Sequence, residues 1–274
     1  GFIFSEGAGS VVLERREDTW HEVATLVPSP DERGEFGMHV AVSGNGDIVA
    51  VSASKAGAGA VHVYARDRSA AGGWSKQATL AGDERRDGFG HRFALDASGT
   101  ALVVGAPFAK GSRGVVTVWD RRGDAWQEVA RLGPTEGLAD FLFGGNVALS
   151  PDGTQVAAAA SRGEGNAMVY AFRRGSAGWE PAGHIAASDG TEKDRFGDAL
   201  VVTNDRVVYV GASHAGPKLT GKVYRFAPGD DGAWSETILA TPAGAFAFGA
   251  NLARSIEPAA LVVASSDTVQ LAPE

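Results

Sequence analysis

The sequence predicts an all-β fold built from repeated four-stranded units, and three observations carry that prediction. Gly contributes 38 of 274 residues, about twice its average share, which suits a chain with many tight turns. A Phe-Gly pair recurs at Phe36, Phe89, Phe143, Phe196 and Phe248, in steps of 53, 54, 53 and 52 residues. No stretch sustains apolar residues at the 3.6-residue spacing of a helix.

The elements follow in order from each Phe-Gly. A first strand comes at once, as Val40–Val42, Phe93–Leu95, Val147–Leu149 and Leu200–Val202. Tight turns at 43–47, 96–100, 150–154 and 203–206 are rich in Gly, Asn, Asp and Ser, residues that tolerate hairpin geometry. A second strand of small apolar residues occupies Ile48–Val51, Ala101–Val104, Val156–Ala160 and Val207–Val210, and small side chains suit a tightly packed inner layer. Gly-rich loops lead to a third strand at 60–64, 115–119, 167–172 and 222–226. A fourth begins at Trp20, Trp74, Trp126 and Trp179, each with Leu or Ile six residues later; at Trp234 the apolar residue, Leu239, stands only five later. One Trp per unit argues for packing between units.

Four short strands at a period near 53 read as blades of a β-propeller. The units run about 1–35 (partial), 36–88, 89–142, 143–195, 196–247 and 248–274 (partial), as one domain over 1–274. The last unit stops short of a fourth strand, whereas the first 35 residues supply a third and a fourth. A ring of five blades closed by a composite N- and C-terminal blade is therefore expected, with a truncated ring of six or seven blades as the alternative.

The units resemble FG-GAP repeats, the blades of the integrin alpha-subunit head. Gly105-Ala106-Pro107 matches the second half of the motif fully and Gly211-Ala212-Ser213 in two of three residues. The resemblance implies an extracellular or cell-surface protein that binds a protein or carbohydrate ligand through loops on one face. It also raises calcium, which this family holds in an acidic turn between the first two strands. Here those turns lack three acidic residues at alternating positions, so the cage motif is absent and no metal or other cofactor is expected. Plain hairpin turns suffice.

On this topology the loops joining strand four to strand one, and strand two to strand three, share one end of the blades. The candidate ligand residues are Asp83, Arg85, Arg86, Asp87, Lys110 and Arg113 in two loops, and Glu192, Lys193, Asp194, Arg195, His214 and Lys218 in two others. Taken singly, each is ordinarily a solvated surface charge. Catalytic signatures are lacking. No G-x-S-x-G elbow, phosphate loop or paired His motif occurs, so no catalytic residue is assigned. A hydrolase or lyase with an axial site, and a docking domain within a larger polypeptide, stand as alternatives to the binding module.

Composition narrows the partners. A net charge of −8 and a pI near 5.3 weigh against nucleic acid. No apolar run reaches membrane-spanning length, so no membrane insertion is expected. The absence of Cys excludes disulfides, thiolate zinc sites and a Cys nucleophile. The opening GFIFSEGAGS lacks the charged and apolar regions of a signal peptide. It also resembles a stretch of β-ketoacyl synthases, which need a catalytic Cys, and the internal match to Gly57–Asp67 explains it better.

Overall fold

The computed structural model describes residues 2–6, 9–32, 34–67, 69, 73–134, 140–162, 167–229, 232–255, 260–265 and 269–273. The chain forms two compact units, Gly1–Leu132 and Gly133–Glu274. Both are built from antiparallel sheets whose strands neighbour one another in chain order.

The first unit holds three sheets. One is three-stranded: β1 (Phe2–Glu6), β2 (Gly9–Arg16) and β3 (Thr19–Leu26). Two are four-stranded: β4 (Phe36–Val42), β5 (Ile48–Ala53), β6 (Ala60–Asp67), β7 (Gly73–Ala81); and β8 (Arg92–Leu95), β9 (Ala101–Ala106), β10 (Val115–Arg122), β11 (Ala125–Leu132). The second unit repeats the scheme with β12 (Asp140–Leu149), β13 (Gln155–Arg162), β14 (Met168–Gly175), β15 (Gly178–Ile185); then β16 (Phe196–Val202), β17 (Val208–Ala212), β18 (Lys222–Pro228), β19 (Trp234–Ile238); and a three-stranded β20 (Asn251–Ser255), β21 (Ala260–Ala264), β22 (Val269–Pro273). The repeat deduced from Phe-Gly spacing is thus a four-stranded meander. The opening FIFSE forms a strand of its own in the first sheet.

Burial follows the strand sequences. Every residue of β5, β9 and β17, the small apolar second strands, is buried on both faces. The fourth strands, such as β7 and β11, are mostly half-buried or exposed. Sheets pack face to face within each unit. Ile48, Val61 and Leu80 of one sheet meet Phe93, Leu102 and Val104 of the next. In the second unit Ala157, Val169 and Ile185 meet Leu200, Val210 and Tyr224.

Three local devices recur. The Phe of each Phe-Gly is buried, and three lie against third-strand aromatics of their own sheet, Phe89 on Trp119, Phe143 on Tyr170 and Phe196 on Tyr224. Each Gly of the pair has a φ between 82° and 95°, which L side chains rarely adopt. A Cβ on Gly90 would also stand 2.7 Å from the Ala60 carbonyl oxygen of the preceding sheet. The residue before each Phe is left-handed too: Glu35, Gly88, Leu142, Arg195 and Ala247 have φ from 56° to 69°.

The Trp spacing has an equally local cause. The pairings of the third and fourth strands shift register once, at Val12/Leu13, Val63/Tyr64, Val118/Trp119 and Ala171/Phe172. Each such bulge takes one extra residue on the fourth strand. The pairing of β18 with β19 has no shift, which accounts for the five-residue step from Trp234 to Leu239. The Trp side chains do reach neighbouring sheets: Trp126 Nε1 donates to Gln77 Oε1 at 3.2 Å, and Trp234 lies over Gly183. Trp20 is half exposed.

Candidate functional site

The two ends of the sheets are built differently. At one end lie the turns between first and second strands. Each opens on a buried polar residue, Ser43, Asp96, Ser150 or Thr203, whose side-chain oxygen accepts from a backbone N–H at or just before the start of the next strand at 2.9–3.0 Å. The Asp96 carboxylate accepts further bonds from the Ser98 and Thr100 hydroxyls and the Thr100 N–H. These turns also bond between sheets, Asn45 Nδ2 to the Ser98 carbonyl and Asp152 N–H to Asn204 Oδ1, both at 3.0 Å. Their polar groups serve the frame. Among the described residues no group of three His, Asp or Glu side chains is placed to hold a metal ion.

The opposite end carries the long loops. In the first unit they enclose a cleft of about 920 Å³. Four loops contribute to it: Glu35 before β4, Ser54 to Gly57 after β5, Arg85 to His91 before β8, and Phe108 after β9. Its charges are unevenly satisfied. Lys55 pairs with Glu35, whose carboxylate also accepts from Ser54 Oγ at 2.8 Å. Those hydrogen bonds hold the Glu35 carboxyl below its usual range. Arg85 and Arg86 are exposed, and among the described residues neither forms an ion pair or a side-chain hydrogen bond. Burial, and then the charge of Arg92, lower the His91 pKa and so favour the neutral ring. Phe108 is 45% exposed and meets the His91 ring edge-on at a centroid distance of 6.2 Å.

The loop before β8 therefore sorts its charges. Asp83 turns away from the cleft to pair with Arg131 of β11, which also holds Glu128. The Arg131 hydrogen bond lowers the Asp83 pKa, and the charge of Lys110 adds to that effect. Asp87 lines, with Asp83, Glu128 and Arg131, a separate, small depression. Arg85 and Arg86 face the cleft. Of the residues singled out from the sequence, the structure thus joins Arg85 and Arg86 in one place and puts Asp83 and Asp87 in another. Lys110 and Arg113 are exposed beyond the cleft lining.

In the second unit the equivalent loops bring Asp194, Arg195 and His214 together. His214 N–H donates to the Asp194 carbonyl at 3.1 Å, and Arg195 Nη1 stands 3.5 Å from His214 Nε2. The Asp194 carboxylate is occupied by Thr191, through its N–H at 2.9 Å and its hydroxyl at 2.6 Å. Glu192, Lys193 and Lys218 are exposed and make no side-chain bond among the described residues. Nearby, Asp189 accepts from Lys222 Nζ at 2.5 Å and Tyr224 Oη at 2.7 Å, and burial with that bond raises the Tyr224 pKa. The loop segments 135–139 and 163–166, expected at this end, lie outside the described residues.

Sequence reasoning missed Glu35, Lys55, His91 and Phe108 as cleft residues. Phe108 carried a signal, as a large apolar residue directly after Gly-Ala-Pro, at the start of a loop. No helix of the described chain is long and apolar enough to cross a membrane. Compared with protein-family models and with curated proteins, the sequence matches none.

Proposed function

We propose that the protein is a non-catalytic binding module, its sheets forming the blades of an FG-GAP-type β-propeller, with ligand held by the long loops at one end. The observation that supports this reading most is the division of labour between the two ends. Turn-end polar groups are consumed by caps and inter-turn bonds. The loop end instead offers a cleft with two guanidinium groups that are unpaired among the described residues, and an exposed aromatic ring. The Phe-Gly repeat and the face-to-face packing of successive sheets support the propeller. The propeller and the family together support an extracellular setting and a protein or carbohydrate ligand. Neither a cofactor nor nucleic acid enters the proposal.

Binding of the purified chain to a printed glycan array and to a panel of purified cell-surface and matrix proteins tests it. Saturable binding of a ligand that is recovered unchanged is the expected result. Conversion of the ligand to product would replace this reading with the enzyme alternative.

A further inference from the structure

We propose that the cleft of the first unit is a site for an acidic saccharide, a sugar carrying carboxylate or sulfate groups. The inference rests on the binding-module reading and names its ligand class. The cleft volume of about 920 Å³ falls at the upper end of the roughly 300–1,000 Å³ range of small-ligand pockets, room for a short oligosaccharide. Five titratable side chains line it. Glu35 and Lys55 neutralise one another, burial disfavours the charged form of His91, and the two positive charges of Arg85 and Arg86 have no ion-pair partner among the described residues. The nearby carboxylates of Asp83 and Asp87 line the other depression, where Arg131 pairs with Asp83.

A chain with a net charge of −8 has no general need for cations, so two adjacent unpaired Arg residues in a concavity point to an anionic ligand. Guanidinium groups present a planar fork that matches carboxylate or sulfate oxygens two at a time. The neighbouring groups suit a sugar. Phe108 offers a partly exposed ring to the apolar C–H face of a pyranose, while His91 can exchange hydrogen bonds with hydroxyls. Gly57 leaves the wall beside it open, since a Cβ there would meet nothing within 4 Å. A simple inorganic anion would need neither the aromatic ring nor the volume.

Titration calorimetry with uronic-acid oligosaccharides, sulfated oligosaccharides and their neutral counterparts tests the site, with a polyglutamate peptide as a fourth arm. Acidic saccharides should bind and neutral ones should not, and the carboxylate and sulfate arms show which anion is preferred. The double variant Arg85→Ala/Arg86→Ala should weaken that binding by about tenfold or more, the scale of losing a charge-assisted hydrogen bond. Phe108→Ala should weaken it while leaving the salt dependence intact. The Arg variant should melt as the parent does, because neither side chain makes an ion pair or hydrogen bond among the described residues, and Phe108→Ala should still melt cooperatively as a folded chain. Equal binding of neutral sugars, affinity unchanged in the double variant, or binding of polyglutamate alone would overturn the inference. If no saccharide binds but a protein ligand does, the saccharide site fails and the binding-module reading stands. If nothing binds in any arm or on the protein panel, both fail.

Discussion

At the residue scale, the same side-chain types do opposite work at the two ends of the sheets. Asp96 stands in the sequence without the further carboxylates of a calcium cage, which leaves it a hairpin role. The residue is 2% exposed, and its carboxylate accepts four hydrogen bonds that shape its own turn. Asp96→Ala should therefore destabilise the chain by about 2–4 kcal/mol, since it orphans buried N–H groups. Asp96→Ser should cost much less, because Ser43 and Ser150 fill the equivalent place. Urea denaturation of the two variants checks this; equal losses would show that the carboxylate has a role beyond capping. Glu32 makes a pH-dependent contribution. Burial alone would raise its pKa, but bonds from Lys76 and Ser29 and the charge of His62 hold it at about 2. A carboxylate depressed in the folded state stabilises above its ordinary value near 4.5 and loses that contribution as pH falls towards 2. Glu32→Gln should flatten the fall in melting temperature across that window, and an unchanged profile would contradict the assignment.

At the element scale, one-residue details separate the repeats. The four-strand pattern, the tight turns and the buried second strands were legible because each follows from local composition and alternation. The bulge between third and fourth strands was visible only as a Trp-to-Leu distance of six, and its loss at β19 as a distance of five. Spacing alone did not say that an extra residue was looped out, because a bulge has no residue signature of its own. The left-handed residue before each Phe was hidden for the same reason. Glu35, Leu142, Arg195 and Ala247 are not residues that advertise positive φ. Two substitutions separate conformation from packing. Ala247→Gly should stabilise by about 0.5–1 kcal/mol, since Gly meets the left-handed backbone without strain. Gly90→Ala should destabilise by at least about 2 kcal/mol, because a Cβ there meets both an unfavourable φ and the Ala60 carbonyl. Thermal melts of the pair decide, and a neutral Gly90→Ala would remove the close approach from the account.

At the scale of the whole molecule, the repeat supplies a frame and the loops supply the differences. Charge in the loops was legible, but its sorting was not. Asp83, Arg85, Arg86 and Asp87 read as one mixed cluster in sequence, and Arg131, 48 residues from Asp83, draws that carboxylate away from the two Arg residues. The cleft was illegible for a related reason, since residues 35 to 108 reach it from four loops. The described turns are held by hydrogen bonds, and calcium is expected to leave the melting temperature unchanged. A rise of several degrees would mean that a cation site contributes to stability.

The central claim is that ligand engages the loop end and not the turn end. The most direct measurement compares the affinity of an acidic oligosaccharide for the parent chain, for Arg85→Ala/Arg86→Ala, and for Arg122→Ala. Arg122 is an exposed Arg in the β10–β11 hairpin, next to Arg121, whose N–H bonds to the Thr100 carbonyl at the turn end. The account expects about tenfold or greater weakening in the loop variant and none in Arg122→Ala. Equal weakening in both, as a diffuse charge effect would produce, or weakening in Arg122→Ala alone, would contradict it.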